Sequence, residues 1–570
     1  MESQQQQAAP AAEQAAPAPV AEQRKKPTAE EIEERKRQTD ELRKKRAAEQ
    51  RSKTAQQKPA AAAGKEESPA GTPSPAAATA TAATPETFNF PKDREGFAAW
   101  YDNIMTFADI VDRRYPVKGM PILKPYGYFM HNQIMKFAEQ EWESQGIQGA
   151  QFPVLIPADF LGREKEHVKG FEKECFWVTK GGENDLETKC ALRPTSETAM
   201  YPMYALWIRS FRDLPLKMYQ TNSVYRYETK DTRPLIRVRE IPWNEGHTCH
   251  ATAADALDCL EQAWGSYTRM TRDLLGFTGV RIRRAVWDKF AGSEHTDVLD
   301  TIMPCGRVLQ AVGAHYLGQK FARVFDIKFL NKENAWEYAY MTCFGISTRI
   351  LAAALAIHGD QKGLVLPPML AQKQVVIVPI LVGKKTSYEE VINKAKEYRD
   401  VLMRAGIRAY VDDTPSSPGE KFYYWEMKGV PLRMEVGPRD VQNGTCVVVR
   451  RDTGEKSTIQ GADVAAACRA GLDALLANIR AKGLEFHRTH ITTCNTVEEM
   501  VHAIQVVGGF ARIPFHSMGM EAKVSDERVH ELCGGEVRGF SPAEEVPAPG
   551  TLCIITGKPA TVWAYVARAY

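Results

Sequence analysis

The sequence predicts an α+β sheet domain, a smaller α/β domain and a third small α+β unit, preceded by a low-complexity extension. Short runs of β-branched and aromatic residues alternate with amphipathic helices up to about residue 371. A βαβα rhythm follows. The first 86 residues are too poor in large apolar groups to offset their ordering entropy. At 570 residues, the chain is also too long for one hydrophobic core.

The extension, residues 1–86, is predicted to be disordered at both ends and partly helical in its middle. Its central run EEIEERKRQTDELRKKRAAEQRSK combines helix formers with charges of both signs at three- and four-residue spacing. This pattern fits a basic helix that docks on a partner and equally fits a solvated tail without a fixed role.

The first globular domain is predicted to span residues 87–371 with a largely antiparallel sheet. GYFMHNQIMKFAEQEWESQG has helical periodicity and ends on a glycine, as a helix C-terminus often does. The predicted elements are helix 127–146, strand 151–157, strand 216–228 and helix 255–276.

The second domain, residues 372–482, shows alternating strands and helices that predict a largely parallel sheet. A third unit is predicted at 483–570. The elements predicted in the second domain are strand 373–381, helix 387–405, strand 406–413 and helix 418–429.

Composition says more about the cellular compartment of the protein than about its function. The net charge of +3 is too small to argue for or against a nucleic-acid partner. The 11 cysteines include no CxxC pair, which favours reduced thiols in the cytoplasm. We expect no membrane span, because no apolar run approaches the ~20 residues required, and the N-terminus lacks the apolar core of a signal peptide.

Two segments carry an unusual density of cations. SVYRYETKDTRPLIRVREIPWNEGH (223–247) predicts a hairpin whose first strand presents Arg226 and Glu228 on one face. Its loop carries three cations, and this set suits either a triphosphate between arginine forks or an exposed, salt-bridged hairpin. In FGISTRILAAALAIHGDQKGLVLPP, Arg349 stands in the first turn of a predicted helix, where a cation is unfavourable unless an anion faces it. The loop cations are Lys230, Arg233 and Arg237.

These segments, in this order, resemble the three signature motifs of class II aminoacyl-tRNA synthetases. Pro153 matches the first motif, Tyr225-Arg226-Tyr227-Glu228 the second, and Arg349 the third. Further stretches resemble prolyl-tRNA synthetases of the eukaryotic and archaeal type, over roughly residues 87–570. They are CALRPTSETAMYP, REIPWNEGH, KFAGSEH, KGLVLPP and KGVPLRMEVGPRD.

The resemblance implies ATP with Mg²⁺ and L-proline as ligands. Arg226, Glu228 and Arg349 would be the catalytic residues, and Arg226 would bind both the α-phosphate and the proline carboxylate. The implied ATP-binding residues are Arg226, Glu228, Arg237, Gln310, Gly313, Ser347 and Arg349. The implied proline-binding residues are Thr195, Glu197, Arg226, Trp243, Glu245, His247 and His315.

The implied reaction is ATP-dependent attachment of proline to tRNA(Pro) through a prolyl-adenylate. The second domain would bind the anticodon, the catalytic domains would form a homodimer, and the extension could join a larger synthetase assembly. Three alternatives stay open: a catalytically weak or inactive tRNA-binding relative, a synthetase for another small amino acid, and an RNA-binding scaffold. The polar anticodon candidates are Lys421, Glu426, Arg433 and Arg439.

The sequence departs from the family at several positions. Gly313 stands where a threonine is common, so one ATP-facing hydroxyl is missing, at a cost of about 1 kcal/mol. Cys343-Phe344 replace a Ser-Trp pair. Relatives often bind zinc through four cysteines near the C-terminus, but His516, Cys533 and Cys553 lack the paired spacing, so we expect no metal there.

Overall fold

The computed structural model describes residues 88–162, 174–229, 231–381 and 386–570. These residues all belong to one compact unit, Pro85–Tyr570. The predicted extension, like Lys230 of the predicted loop, lies outside the described residues. No helix in the described ranges is long and apolar enough to cross a membrane.

The first domain is built on most of an 11-stranded sheet, with its helices packed around a large apolar core. In chain order its helices are α1 (Phe97–Phe107), α2 (Pro125–Ser144), α3 (Ala158–Gly162), α4 (Glu197–Trp207), α5 (Ala253–Thr268), α6 (Lys320–Phe325) and α7 (Thr348–His358). Its strands are β1 (Val111–Asp112), β2 (Ile122–Leu123), β3 (Gln148–Gly149), β4 (Leu155–Pro157), β5 (Trp177–Gly181), β6 (Asn184–Leu192), β7 (Leu216–Tyr225), β8 (Glu240–His250), β9 (Val280–Arg283), β10 (His295–Ile302), β11 (Val308–Gly318), β12 (Lys328–Leu330), β13 (Trp336–Tyr338) and β14 (Tyr340–Ser347).

The predicted helix 127–146 corresponds to α2, and Gly146 follows it with a φ of +72°, a conformation that glycine adopts without strain. The strand predicted at 151–157 was mostly wrong, because only β4 is extended and paired. At Phe152, next to Pro153, the backbone forms hydrogen bonds with side chains instead of with a neighbouring strand. The Phe152 N–H donates to Gln220 Oε1 at 3.1 Å, and the Phe152 carbonyl accepts from Arg193 at 2.8 Å.

The predicted arginine hairpin consists of β7 and β8, paired antiparallel with Gln220 opposite Glu245. The first strand was predicted too long, since β7 ends at Tyr225. Arg226 and Glu228 therefore do not share a strand face. The chain turns after β7, and the Glu228 N–H donates to the Arg226 carbonyl at 2.7 Å.

The second domain contains a five-stranded sheet whose strands, in spatial order, are β16 (Ala409–Val411), β15 (Val375–Pro379), β17 (Leu432–Val436), β18 (Thr445–Arg450) and β19 (Lys456–Gln460). The prediction of a largely parallel sheet was wrong for two of the five strands. The sheet is mixed, because β18 and β19 pair antiparallel. Only eight residues join β17 to β18, which is too short for a parallel crossover. The helices of the domain, in chain order, are α8 (Thr386–Arg404), α9 (Pro418–Met427), α10 (Pro438–Asn443) and α11 (Val464–Thr489).

The C-terminal unit shares the large sheet of the first domain. The boundary predicted at Lys482 falls inside α11, which runs unbroken between the two parts. The strands of the unit continue the sheet past β9, where Phe540 pairs with Arg283. Its elements are β20 (Ile491–Thr493), α12 (Val497–His502), β21 (Phe510–Phe515), α13 (Lys523–Cys533), β22 (Glu536–Phe540) and β23 (Val562–Ala567).

Candidate active site

A cavity of about 510 Å³ opens over the centre of the large sheet. Its walls come from β8, β11, β14, the start of α4 and the turn after β7. Chain segments more than a hundred residues apart thus place their polar side chains in one space. The predicted residues that line it are Thr195, Glu197, Arg226, Glu228, Arg237, Trp243, Glu245, His247, Gln310, Gly313, His315, Ser347 and Arg349.

Three arginines form one charged cluster in the cavity. The Arg226 side chain donates to the Pro194 carbonyl at 3.0 Å, and Arg237 donates to Glu228 Oε2 at 3.0 Å. Arg349 donates to the Ile236 carbonyl at 2.9 Å. Burial, together with the neighbouring Arg226 and Arg237, lowers the pKa of Arg349 to about 10. Even with this lowered pKa, Arg349 stays charged at neutral pH, so the arginine cluster favours an anionic ligand.

A second cluster in the cavity, the carboxylate cluster, holds buried carboxylates in a dense hydrogen-bond network. Glu245 Oε1 accepts from Ser196 Oγ at 2.5 Å and from Gln220 Nε2 at 2.8 Å. The other oxygen of Glu245 lies 2.8 Å from His247 Nε2, and His247 Nδ1 lies 3.0 Å from the Tyr201 hydroxyl. Burial opposes protonation of His247, but the hydrogen bond and charge of Glu245 outweigh it and raise its pKa.

Next to this network, Glu197 accepts a short hydrogen bond from Thr195 and lies 3.7 Å from the Cys343 thiol. Burial raises the pKa of that thiol well above its usual value. Within the described ranges, Glu197, His247 and Cys343 form the one group of three or more potential metal ligands. Both ring nitrogens of His247 already have hydrogen-bond partners, Glu245 and Tyr201. Together, Glu197, His247 and Cys343 form a polar wall of the cavity.

A third wall contains His315 and the glycine that departs from the family pattern. The Thr296 hydroxyl lies 2.9 Å from His315 Nδ1, and the Phe290 ring lies 4.6 Å from the imidazole. A Cβ atom on Gly313 would lie 3.3 Å from both Gln310 Nε2 and His315 Nε2. A side chain at this position would therefore require the ends of these two side chains to shift by a few tenths of an ångström.

Comparisons with known proteins agree on one family. Residues 176–358 match the family described as "tRNA synthetase class II core domain (G, H, P, S and T)", and residues 374–470 match "Anticodon binding domain". The proline–tRNA ligase of Methanosarcina mazei is 46% identical over 423 residues, which are 74% of this chain and 87% of that protein. The chain belongs to the prolyl-tRNA synthetase family.

Two further relatives extend the match over nearly their whole length. The proline–tRNA ligase of Methanopyrus kandleri is 43% identical over 480 residues, covering 84% of this chain and 97% of that protein. A solved prolyl-tRNA synthetase of Giardia lamblia, in complex with prolyl-adenylate, is 48% identical with a TM-score of 0.83. That similarity covers 85% of this chain and 100% of the Giardia chain.

This prolyl-tRNA synthetase family member has a second cavity, of about 330 Å³, in its anticodon-binding domain. Of the four anticodon candidates, Glu426 and Arg433 line it. Lys421 does not: it is buried and donates to the Asp412 carbonyl at 2.8 Å. Arg439 is exposed on α10. Lining residues that the sequence did not single out are Phe422, Trp425, Arg450, Arg451 and Lys456.

The three candidate zinc residues do not converge. His516 Nδ1 lies 3.6 Å from the Cys553 sulfur, whereas the Cys533 thiol donates to the Val529 carbonyl of its own helix at 3.2 Å. No cluster of three ligands includes them in the described part of the chain.

The sequence missed several polar residues that line the main cavity, among them Arg284 and Arg538. Neither residue stood out in the sequence. Arg284 follows other arginines, Arg538 precedes a glycine, and neither belongs to a motif of fixed spacing. Asp300, the buried partner of both arginines, was a better signal, because a carboxylate inside the apolar run VLDTI needs a cation. Further missed lining residues are Glu174, Asp288, Lys289, Phe290 and Thr296.

Proposed function

We propose that this protein attaches L-proline to tRNA(Pro) in two steps through a prolyl-adenylate, with ATP converted to AMP and pyrophosphate. The observation that carries the proposal is the single cavity that contains both an arginine cluster and a carboxylate cluster. Such a cavity is complementary to a ligand pair that combines a triphosphate with an ammonium. Family membership supports the same reading, and the Giardia relative is a complex with prolyl-adenylate.

In the first step, a carboxylate oxygen of proline attacks the α-phosphorus in line. A new P–O bond forms as the bond to pyrophosphate breaks. Arg226 would bind the α-phosphate and the proline carboxylate, and Arg237 and Arg349 the outer phosphates. Bringing two anions together is the main barrier, so fixed arginines lower it by positioning and by charge.

Glu228 would hold the adenine amino group and Arg349 would stack on adenine, with Ser347 and Gly313 beside the nucleotide. Glu228 accepts from Arg237 at 3.0 Å, so nucleotide binding must share or replace this ion pair. Mg²⁺ would accompany the phosphates near Gln310 and would be held chiefly by the phosphate oxygens.

The secondary ammonium of proline would lie between Thr195 and Glu197. Glu197 is almost fully buried and already accepts a hydrogen bond from Thr195, and an ammonium there would add an opposite charge beside the buried carboxylate. Trp243, Glu245, His247 and His315 would enclose the pyrrolidine ring. The Trp243 indole donates to Asn222 at 2.8 Å, which fixes the aromatic wall.

In the second step, the terminal 3′-hydroxyl of the tRNA attacks the acyl carbon. The ester bond forms, the bond to the adenylate phosphate breaks, and AMP leaves while the hydroxyl loses its proton. Alanine and cysteine fit a proline-sized pocket, so discrimination against them should be limited to about 1–3 kcal/mol per missing methylene. No segment resembles a hydrolytic editing domain, and we expect no editing in cis.

The second cavity would read the anticodon. Unstacked bases are recognised by stacking and edge hydrogen bonds, and Phe422 and Arg433 already stack, with the guanidinium 4.0 Å from the ring centre. Arg433→Gln should therefore raise the KM for tRNA in aminoacylation without changing ATP–pyrophosphate exchange. Arg404→Gln, at the exposed end of α8, is the control, and an equal effect of both changes would contradict the assignment to this cavity.

The remaining proposals concern assembly and location. We propose a homodimer, a cytoplasmic location and no bound zinc, with a larger synthetase assembly through the extension left open. All eleven cysteines, each in the described part of the chain, are free thiols, which supports a reducing compartment. Sedimentation and metal analysis test the dimer and zinc proposals.

The deciding experiment is proline-dependent ATP–pyrophosphate exchange, with alanine and cysteine as competitors. Exchange in the wild type that disappears in Arg226→Ala supports the proposal. Arg528→Ala, which removes an exposed ion pair on α13, should leave exchange unchanged. If the wild type shows no exchange with or without tRNA, the result favours an inactive tRNA-binding relative. Faster exchange with another small amino acid than with proline favours a different synthetase.

A further inference from the structure

The C-terminal unit contributes one arginine, Arg538, to the wall of the catalytic cavity. It stands on β22, at the junction between this unit and the first domain. Gly539 permits the junction: its φ is +126°, and a Cβ there would lie 2.0 Å from the Arg283 carbonyl oxygen. Only glycine lets β22 approach β9 this closely.

Two irregularities in the sheet bring Arg538 and its partner together. Along β22 and β23, the pairing register shifts between Val537 and Gly539, so Arg538 is an extra, unpaired residue. Along β10 and β11, the register shifts after Leu299, and Asp300 pairs with Gln310. Such bulges re-aim side chains and are common beside functional sites.

The result is a buried chain of polar contacts from the C-terminal unit to the cavity. Asp300, which is 0% exposed, accepts from Arg538 Nε at 2.9 Å and from Arg284 Nη2 at 3.1 Å. Arg284 also donates to the Arg538 carbonyl at 3.0 Å and to Gln310 Oε1 at 3.4 Å. With its oxygen held by Arg284, the Gln310 amide nitrogen lies over Gly313.

We propose that Arg538 is a positioning residue for the ATP side of the cavity. By pairing with Asp300, it holds Arg284 in the orientation that fixes the Gln310 amide, which then donates toward bound nucleotide. Without Arg538, Asp300 would keep only one cationic partner, and Arg284 would reorient to compensate for a buried charge. This inference rests on the proposed function, because it assumes that ATP binds beside Gln310.

The test is Arg538→Gln in ATP–pyrophosphate exchange with the full-length protein. We expect the KM for ATP to rise roughly tenfold, while the KM for proline changes less than about twofold. Arg512→Gln is the matched control: it lies in the same unit, pairs with Glu544 and stacks on Trp563, and is not among the residues that line the cavity. Equal effects of both changes, or parallel rises in both KM values, would overturn the proposal.

A double-mutant cycle with Gln310→Ala distinguishes positioning from general destabilisation. If Arg538 acts through Gln310, the loss in ATP affinity should be far less than the product of the two single effects. If the two single effects on ATP affinity simply multiply in the double variant, Arg538 does not act through Gln310. Arg538→Lys, which keeps one charge, serves if the glutamine variant does not fold, and it should show a smaller rise in the KM for ATP.

Direct titration of ATP into the same variants separates this inference from the proposed function. If the wild type binds ATP but shows no exchange with proline, the proposed function fails. The positioning role is then still decided by whether Arg538→Gln weakens ATP binding more than Arg512→Gln does.

Discussion

The two charged clusters of the main cavity hold their charges in opposite ways. In the arginine cluster, burial and the neighbouring Arg226 and Arg237 lower the pKa of Arg349, and two of the three arginines donate to backbone carbonyls. In the carboxylate cluster, both oxygens of Glu245 lie within hydrogen-bond distance of buried polar side chains. The arginines therefore have binding energy left for an anionic ligand, whereas Glu245 is satisfied by the protein itself. Activity and stability should therefore separate between Arg349 and Glu245.

The largest expected effect is at Arg349. Arg349→Ala should lower kcat/KM for ATP in exchange by at least about 100-fold, because a preorganised cation is lost. The free energy of unfolding should change by less than about 2 kcal/mol, since the lost charge-assisted hydrogen bond to the Ile236 carbonyl is partly offset by relief from two repulsive neighbours. Kinetics measure the first effect and chemical denaturation the second. A larger loss of stability would contradict the contrast with Glu245.

Glu245→Ala should show the reverse balance. It leaves Ser196, Gln220 and His247 without their acceptor, so the free energy of unfolding should fall by about 3 kcal/mol. Denaturant titration measures this, with Glu531→Ala as the exposed control on α13. Unchanged stability would mean that the network is held by other contacts.

The pH dependence of stability should also differ between buried histidines. The pKa of His247 is raised above 6.5, so its contribution is present below about pH 6.5 and is lost as pH rises through the raised value. Burial lowers the pKa of His131 to about 4, so its contribution is lost as pH falls below 6.5 toward 4. The free energy of unfolding of His247→Gln and of His131→Gln, each measured relative to wild type across the pH range given for that histidine, should change with pH in opposite directions.

The smallest effect is expected at Cys343. Cys343→Ser nearly conserves volume and places a hydroxyl where the thiol lies 3.7 Å from Glu197. The KM for proline in exchange should change by less than about threefold. A larger change would show that the thiol itself shapes the proline pocket.

The family resemblance led to thirteen residues of the main cavity but to only two of the second. All thirteen line the main cavity, because they lie in segments whose motifs match the family in order. For the second cavity the candidates were chosen only because they are polar. Charge alone does not distinguish Lys421, buried against Asp412, from Arg433, which lines the cavity.

Periodicity and turn chemistry in the sequence predicted four helices that the structure confirms, at 127–146, 255–276, 387–405 and 418–429, because these depend on near neighbours. Tertiary structure alone decided where strands stop pairing, as at Pro153 and Tyr225. It alone decided that the C-terminal strands extend the first domain's sheet and place Arg538 beside Asp300. Those residues lie 238 positions apart. Contacts of that range depend on register and bulges, which no local pattern records.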